Sequence, residues 1–510
     1  MTSPFAHAAD RALEPVLARR AADWRIGPVV YQVLVDRFAP PADLEAKRHL
    51  YPAPRTLHGW DEQPVQGTHD EAAGLWSHEL AFWGGDLAGL TGRLDYLEAL
   101  GVDVVYLNPI HAAWTNHKYD AQDYFAVSPE FGTRADVAEL ARDLHGRGMQ
   151  LVLDGVLNHM GRTAPMFQDA VASPDSPWRD FFYIGPQWRH GWRCWWDVAN
   201  LPDVNWENPA VKGWLFGSPQ SLIDGWLAEG VDGFRLDVAY DIGFTHLGEL
   251  TAAAHAARPG SLVLGECYNY PPDWVNGPLD AILNISLSEI IRDLAEGSIG
   301  GRHAGDLIER MVADTDYEGL LRSWIVLDNH DKARLASWLP DPAAQTIAQV
   351  LQFTLPGAVN LYYGVEAGMT GPRDPENRGP MDWDRAVPGE PAFDRVQALI
   401  KARKATRAFR IGEFRRLDAD RLLAFTRYTD RIEELAVVVV NPADQPVRDL
   451  MSLRDSKVVN FEVLRCALTG FEAHISAGLC RLTVPPRTAL ILRPQMNKPG
   501  REYEPYKRVA

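Results

Sequence analysis

Eight short, almost wholly apolar runs separated by stretches of helical periodicity limit what this chain can fold into more than any other feature. The runs are Val29–Val35, Val102–Leu107, Gln150–Leu153, Gly233–Asp237, Leu262–Leu264, Ala281–Leu287, Trp324–Leu327 and Ala358–Tyr362. A strand that is covered on both faces reads as a continuous apolar run rather than an alternating one. Between the runs, Leu87, Leu90, Leu94, Leu97 and Leu100 recur at helical spacing over Asp86–Leu100. Further helices are expected around Ala135–Arg147, Val211–Ala228 and Leu247–Ala257. Strand and helix alternating eight times predict an α/β fold, a parallel sheet closed into a (β/α)8 TIM barrel. An open doubly wound sheet is the alternative.

Two intervals break the rhythm. Residues 155–207 are rich in Trp, Pro and Asp and too long for an ordinary connection, so they are expected to form a small inserted excursion domain at the C-terminal rim after strand 3. After Phe409 the pattern changes to short strands with turn residues between them, including Leu422–Arg427, Glu434–Val440 and Leu482–Val484, which predicts a C-terminal antiparallel β-sandwich. The expected organisation is therefore a first barrel part with an N-terminal arm (1–154), the insertion (155–207), a second barrel part (208–409), the sandwich (410–497) and a loose polar tail (498–510).

The chain has 510 residues, more than one core usually supports, and 46% of them are hydrophobic, enough for large cores. A formal net charge of −17 argues against sequence-independent nucleic-acid binding and against an anionic membrane surface. Cys194, Cys267, Cys466 and Cys480 are widely spread and suggest neither a zinc knuckle nor a disulfide framework. The first twenty residues lack the apolar core of a secretion signal and no run reaches transmembrane length, so a cytoplasmic protein is expected. Trp192, Trp195, Trp196 and Trp206 crowd into the insertion; flat rings with a polar edge suit sugar faces, although core packing is their commoner use.

In a barrel of this kind chemistry sits at the C-terminal ends of the strands. The third strand ends in Asp154, followed by Asn158 and His159; the fourth in Arg235 and Asp237; the fifth in Glu266; the seventh in Asp328, His330 and Asp331. Arg235 and Asp237 project to one face of an extended strand, which alone suits a structural ion pair. Four polar strand ends on one rim suit cleavage of a glycosidic bond, where one carboxylate attacks and a carboxylic acid protonates the leaving oxygen. Adjacent strands lie about 4.8 Å apart, so Asp237 and Glu266 can approach the roughly 5 to 5.5 Å separation that goes with a covalent intermediate and retained configuration. Arg235 is expected to hold Asp237 ionised, while Glu266, next to Cys267, is expected to stay protonated. Asp331 is the third carboxylate.

The motifs Asp154-Gly155-Val156-Leu157-Asn158-His159, Gly233-Phe234-Arg235-Leu236-Asp237, Gly265-Glu266 and Asp328-Asn329-His330-Asp331 resemble, in order and spacing, those of the α-amylase family of retaining α-glycoside hydrolases. Tyr31-Gln32, Asp36-Arg37-Phe38, Phe82-Trp83-Gly84-Gly85-Asp86-Leu87, Leu201-Pro202-Asp203-Val204-Asn205 and Tyr362-Tyr363-Gly364-Val365-Glu366 extend the resemblance over nearly the whole chain. It implies Asp237 as nucleophile, Glu266 as general acid and base, and Asp331 as transition-state stabiliser. It also implies that Arg235, His159 and His330 contact the attacked sugar and that Tyr119 is its stacking platform.

The stretch Asn116–Tyr124 with Phe131-Gly132-Thr133 is most similar to the cyclomaltodextrinase, neopullulanase and maltogenic amylase branch. About thirty residues precede the first strand, too few for that branch's N-terminal module, so its dimer architecture is not carried over. Asn158 matches a calcium ligand of typical α-amylases, but one ligand does not make a site that needs about six to eight oxygens; no cofactor is expected to be required, and calcium is the unsupported alternative. Lys332 is expected to bridge to a neighbouring acid. The expected substrates are short α-1,4-linked glucans or cyclodextrins. The rivals are a transglycosylase, an α-1,6 or α-1,1 glucosidase on the same scaffold, and a non-catalytic sugar-binding protein.

Overall fold

The eight apolar runs pair side by side as parallel strands in the computed structural model, which describes residues 8–496 except Ala72, Ser456 and Phe461. The strands are β1 (Val29–Val33), β2 (Val104–Leu107), β3 (Gln150–Gly155), β4 (Gly233–Leu236), β5 (Leu262–Gly265), β6 (Ala281–Ile282), β7 (Trp324–Val326) and β8 (Ala358–Tyr362). Their order in the sheet is β6-β5-β4-β3-β2-β1-β8-β7. A parallel bridge between Leu283 and Trp324 joins the two edge strands and closes the ring. Successive side chains of a strand point to opposite faces. Val30, Val104, Val152 and Leu264 therefore pack in the lumen, while Tyr31, Val105, Leu151 and Val263 pack against the surrounding helices.

Several element ends differ from the sequence expectation, each for a local reason. The sixth strand stops at Ile282, because the Asn284 side chain accepts the Leu287 N–H at 3.1 Å and starts a helix at Ile285. The helix expected over Asp86–Leu100 is two, Leu87–Thr91 and Leu94–Leu100. Val211–Ala228 likewise divides into Pro209–Leu215 and Leu222–Ala228, the second capped by Ser221. The first strand ends at Val33, and Val35–Phe38 forms a helical turn.

That turn explains the paired glycines. Buried Asp36 accepts the backbone N–H groups of Trp83 at 3.0 Å and Gly84 at 2.9 Å, drawing the two segments together. A Cβ on Gly85 would lie 2.3 Å from the Val35 carbonyl oxygen, so only glycine fits this approach.

After β3 the chain leaves the barrel through a helix at Pro165–Ala172 and a set of short bridges, among them Phe182 with Val204 and Ile184 with Trp192. Phe167 meets Phe182 and Trp192 edge-on, at 5.0 and 5.3 Å between ring centroids. The C-terminal part has eight antiparallel strands: β9 (Glu413–Arg416), β10 (Leu423–Tyr428), β11 (Ala436–Asn441), β12 (Val447–Ser452), β13 (Val463–Cys466), β14 (Glu472–Ser476), β15 (Leu479–Val484) and β16 (Thr488–Pro494). They form one sheet that curls over a second apolar core. The outer faces of β10, β11 and β16 carry Phe425, Val438, Val440 and Ile491 into the barrel's own core.

All four cysteines are buried and unpaired. Among the described residues no helix is long and apolar enough to cross a membrane.

Candidate active site

The polar strand ends converge at one end of the barrel. Register pairs Leu236 of β4 with Gly265 of β5, and Arg235 with Asp154 of β3. Asp237 and Glu266, each one residue further on, therefore leave adjacent strands side by side. Fully buried Arg235 is the hub: Nη1 donates to Asp154 Oδ1 at 2.8 Å and to Asp237 Oδ1 at 3.0 Å. Its Nη2 lies 2.9 Å from Glu266 Oε2, an ionic contact without hydrogen-bond alignment.

The expectation that Arg235 would sort the two carboxylates into different roles changes here, because one guanidinium touches both. Three buried carboxylates around one cation leave surplus negative charge in a low dielectric, which disfavours the ionised forms of Asp154 and Asp237. Burial raises Asp154 and Asp237, Arg235 pulls both back, and the charge on Glu266 pushes Asp237 up again. The two carboxyls also differ in their backbone neighbours. Val238, a β-branched residue in the left-handed region at φ +40°, turns its N–H onto Glu266 Oε2 at 3.2 Å. Such a conformation is strained and persists where surrounding structure imposes it.

Beyond β7, Asn329 Oδ1 accepts the N–H groups of Asp331 and Lys332, both at 2.9 Å, and this turn presents Asp331 to the cleft. The Asp331 side chain is 37% exposed, with Oδ2 3.1 Å from His330 Nε2 and Oδ1 3.5 Å from Arg378 Nη2. The amides of Gln32 and Asn108 both point their nitrogens at His330 Nδ1, at 3.0 and 3.1 Å, so Nδ1 accepts and Nε2 carries the hydrogen. Burial keeps this imidazole neutral, with the Arg378 and Arg235 charges adding to the effect. Tyr119 stacks on it at 5.4 Å, its hydroxyl donating to Asp154 Oδ2 at 3.0 Å. His159 is also buried, which lowers its pKa to about 3. Neither of its ring nitrogens has a hydrogen-bond partner among the described residues, and Nε2 lies 3.9 Å from Asp237 Oδ2.

A cavity of about 760 Å³ has Asp237, Glu266, Asp331, Tyr119 and His159 in its wall. Arg235 and His330 stand behind that wall rather than in it. Sequence reasoning missed Glu79, Asp374 and Arg378, which also line the cavity with Trp195. Trp195 carried a signal in the crowding of tryptophans. The others lie on loops with no strand-end position to mark them. Lys332 pairs with Glu289 at 2.8 Å, as the sequence suggested.

The model of the α-amylase catalytic domain matches residues 32–253 and 306–412 of this sequence. The chain belongs to the α-amylase family. It is 30% identical over 484 residues to neopullulanase 2 of Thermoactinomyces vulgaris, covering 92% of this chain and 78% of that protein. It is 32% identical over 391 residues to a cyclomaltodextrinase from a Bacillus species, covering 74% and 69%. Among solved structures, the ligand-free cyclic α-maltosyl-(1→6)-maltose hydrolase of Arthrobacter globiformis superposes with a TM-score of 0.76 and 26% identity, covering 92% of this chain and 98% of that one. This α-amylase-family enzyme is thus a glycoside hydrolase.

Many members of the family bind calcium, and Asn158 is the residue that matches. The Asn158 main-chain carbonyl accepts the Val204 N–H at 3.0 Å, and the carboxylate of Asp203 is ion-paired to Arg193 through Oδ2 at 2.6 Å while its buried Oδ1 has no hydrogen-bond partner among the described residues. Among the described residues no group of three or more His, Cys, Asp or Glu could hold a metal.

Proposed function

We propose that this enzyme hydrolyses α-1,4-glucosidic bonds of short malto-oligosaccharides and cyclodextrins by double displacement, with configuration retained. The observation that carries the proposal is the placing of Asp237 and Glu266 on neighbouring strand ends against one guanidinium, with Asp331 across the cleft. An Asp237 oxygen attacks the anomeric carbon as the bond to the leaving oxygen breaks, and that oxygen takes the Glu266 proton. A water then attacks the same carbon, giving its proton to Glu266 and releasing Asp237. Two inversions leave the configuration as it began.

Asp331, beside neutral His330, accepts hydroxyl hydrogens of the distorted sugar, Tyr119 stacks on its ring, and His159 offers its unpartnered nitrogens to it. Arg235 binds all three buried carboxylates and so holds the attacking pair in place. None of these steps calls for a metal or cofactor. The names of the similar proteins, a neopullulanase and a cyclomaltodextrinase, support short or cyclic α-glucans as substrates. Four buried, unpaired thiols support a reducing, cytoplasmic setting.

A second reading is favoured by the aromatic wall near Glu266, where Trp195, Trp196, Tyr240 and Tyr268 meet the cavity. A sugar held there in place of water would make the enzyme a transglycosylase. Maltotriose, β-cyclodextrin, pullulan and isomaltose, each assayed with and without a chelator, separate these readings. Maltose and glucose from the first two, unaffected by chelator, are expected. Early products longer than maltotriose would favour transfer, and inactivity on every α-1,4 substrate would refute the proposal.

A further inference from the structure

A line of stacked rings leads away from the reacting carboxylates to a residue that the chemistry above does not use. His330 stacks on Tyr119 with 10° between the planes, and Tyr119 stacks on His117 at 5.7 Å and 26°. The line ends at Glu79, whose Oε2 lies 3.9 Å from His117 Nε2. Glu79 comes from the long connection between β1 and β2, within a 3-10 turn at Ser77–Leu80.

The turn is held from several directions. Asn116 N–H donates to the Glu79 carbonyl at 2.7 Å, and the Asn116 side-chain amide donates to the carbonyls of His78 and Ala81, both at 2.8 Å. Trp76 N–H donates to Glu79 Oε2 at 3.2 Å. His117 Nδ1 accepts the Tyr119 N–H at 3.0 Å, which leaves the hydrogen on Nε2, the nitrogen facing Glu79. Burial pushes the Glu79 carboxyl up, but His117 and the Trp76 N–H more than offset it, leaving the group below its ordinary value and ionised. Among the described residues Oε1 has no hydrogen-bond partner, and the side chain, 19% exposed, lines the cavity.

The two ends of the cavity differ in chemistry. Glu266 delivers its proton to the leaving group, so its flank, with Tyr268, faces the departing sugar. Glu79, His117, Asp374 and Arg378 also line the cavity, and their contacts run from Asp331 rather than Glu266: Arg378 lies 3.5 Å from Asp331 and 3.4 Å from Asp374, and Asp374 lies 3.9 Å from His78, the residue before Glu79. A fixed carboxylate with a vacant oxygen accepts charge-assisted hydrogen bonds from hydroxyls. We propose that Glu79, oriented by His117, is a specificity-determining residue that binds hydroxyls of the glucosyl unit next to the attacked one on its non-reducing side. The inference rests on the function proposed above and names the part of the substrate that this residue recognises.

The test compares p-nitrophenyl α-glucoside, which has no sugar on that side, with p-nitrophenyl α-maltoside, which adds one and keeps the leaving group. In Glu79→Ala, kcat/KM for release of p-nitrophenol from the maltoside should fall about 10- to 100-fold, while the glucoside changes less than about twofold. Glu79→Gln, which keeps the shape and loses the charge, should fall between. Equal losses on both substrates would make Glu79 merely structural, and an undiminished maltoside rate would remove it from the site. If the native enzyme cleaved neither substrate, the α-glucosidic reading would fail instead. Calorimetric titration with maltose would still decide on Glu79, equal affinity of native protein and Glu79→Ala overturning the proposal.

Discussion

Arg235 settles less about the reaction than a single ion pair would, because Asp154, Asp237 and Glu266 all use it. What distinguishes the last two is the step each has to perform, and this is testable. Glu266→Gln removes the proton donor and leaves the nucleophile. Turnover of maltotriose should drop about 10²- to 10⁴-fold. Release of fluoride from α-glucosyl fluoride, whose leaving group needs no proton, should drop far less. Equal losses would take the acid role from Glu266. Asp328 shows the same burial effect on stability. Its carboxyl is raised from 3.8 to about 6 by burial, opposed by the Leu335 N–H. A raised carboxyl binds its proton more tightly in the folded state than in the unfolded one. Its stabilising contribution is full below about pH 4 and is lost as pH rises through 6. The loss is on the order of 3 kcal/mol. Asp328→Asn does not titrate, so its Tm relative to the native protein should rise between pH 4.5 and 8. A constant difference would contradict the assignment.

At the scale of elements, the inserted segment matters because it carries His159 and Trp195 into the cleft. Its return to the barrel depends on Trp206, whose indole N–H donates to the Leu157 carbonyl at 3.1 Å and whose ring stacks on Phe216 at 6.0 Å and His246 at 5.7 Å. Trp206→Ala should cost about 3–5 kcal/mol. It should also speed proteolysis between Ser173 and Asn200 and depress kcat/KM with it. Cleavage at the native rate would mean the anchor lies elsewhere. Close to this anchor, Trp196 and Asp197 have left-handed backbones at φ +48° and +58°, and Trp196 is 76% exposed. Strain of this kind collects where function requires a fixed geometry.

At the scale of the whole molecule, the barrel and the curled C-terminal sheet share an apolar core. Phe425 is fully buried, meets Phe414 at 5.3 Å and packs with Val438 and Ile491 in the barrel's cluster. The two parts should therefore unfold together. Phe425→Ala should lower one calorimetric transition by the equivalent of about 3–5 kcal/mol. Two resolved transitions, in the native protein or the variant, would show that the parts are energetically separate.

The barrel was legible from residue order alone, because a continuous apolar run suits a strand covered on both faces and eight of them leave few ways to close. The polar strand ends were legible for the same reason, since a charged residue closing such a run must lie at a rim. Element ends were less so: Asn284 capping a helix inside the sixth run is one side chain outweighing an apolar pattern. The character of the site came from tertiary structure. Sequence placed Arg235 beside Asp237, but only the pairing of β3, β4 and β5 brought Asp154 and Glu266 to the same guanidinium. Glu79 and Arg378 reach the cleft on loops held by distant partners, Asn116 for one and the His330 carbonyl for the other. Local propensity carries no record of such bonds, because their energy depends on atoms that folding alone brings together.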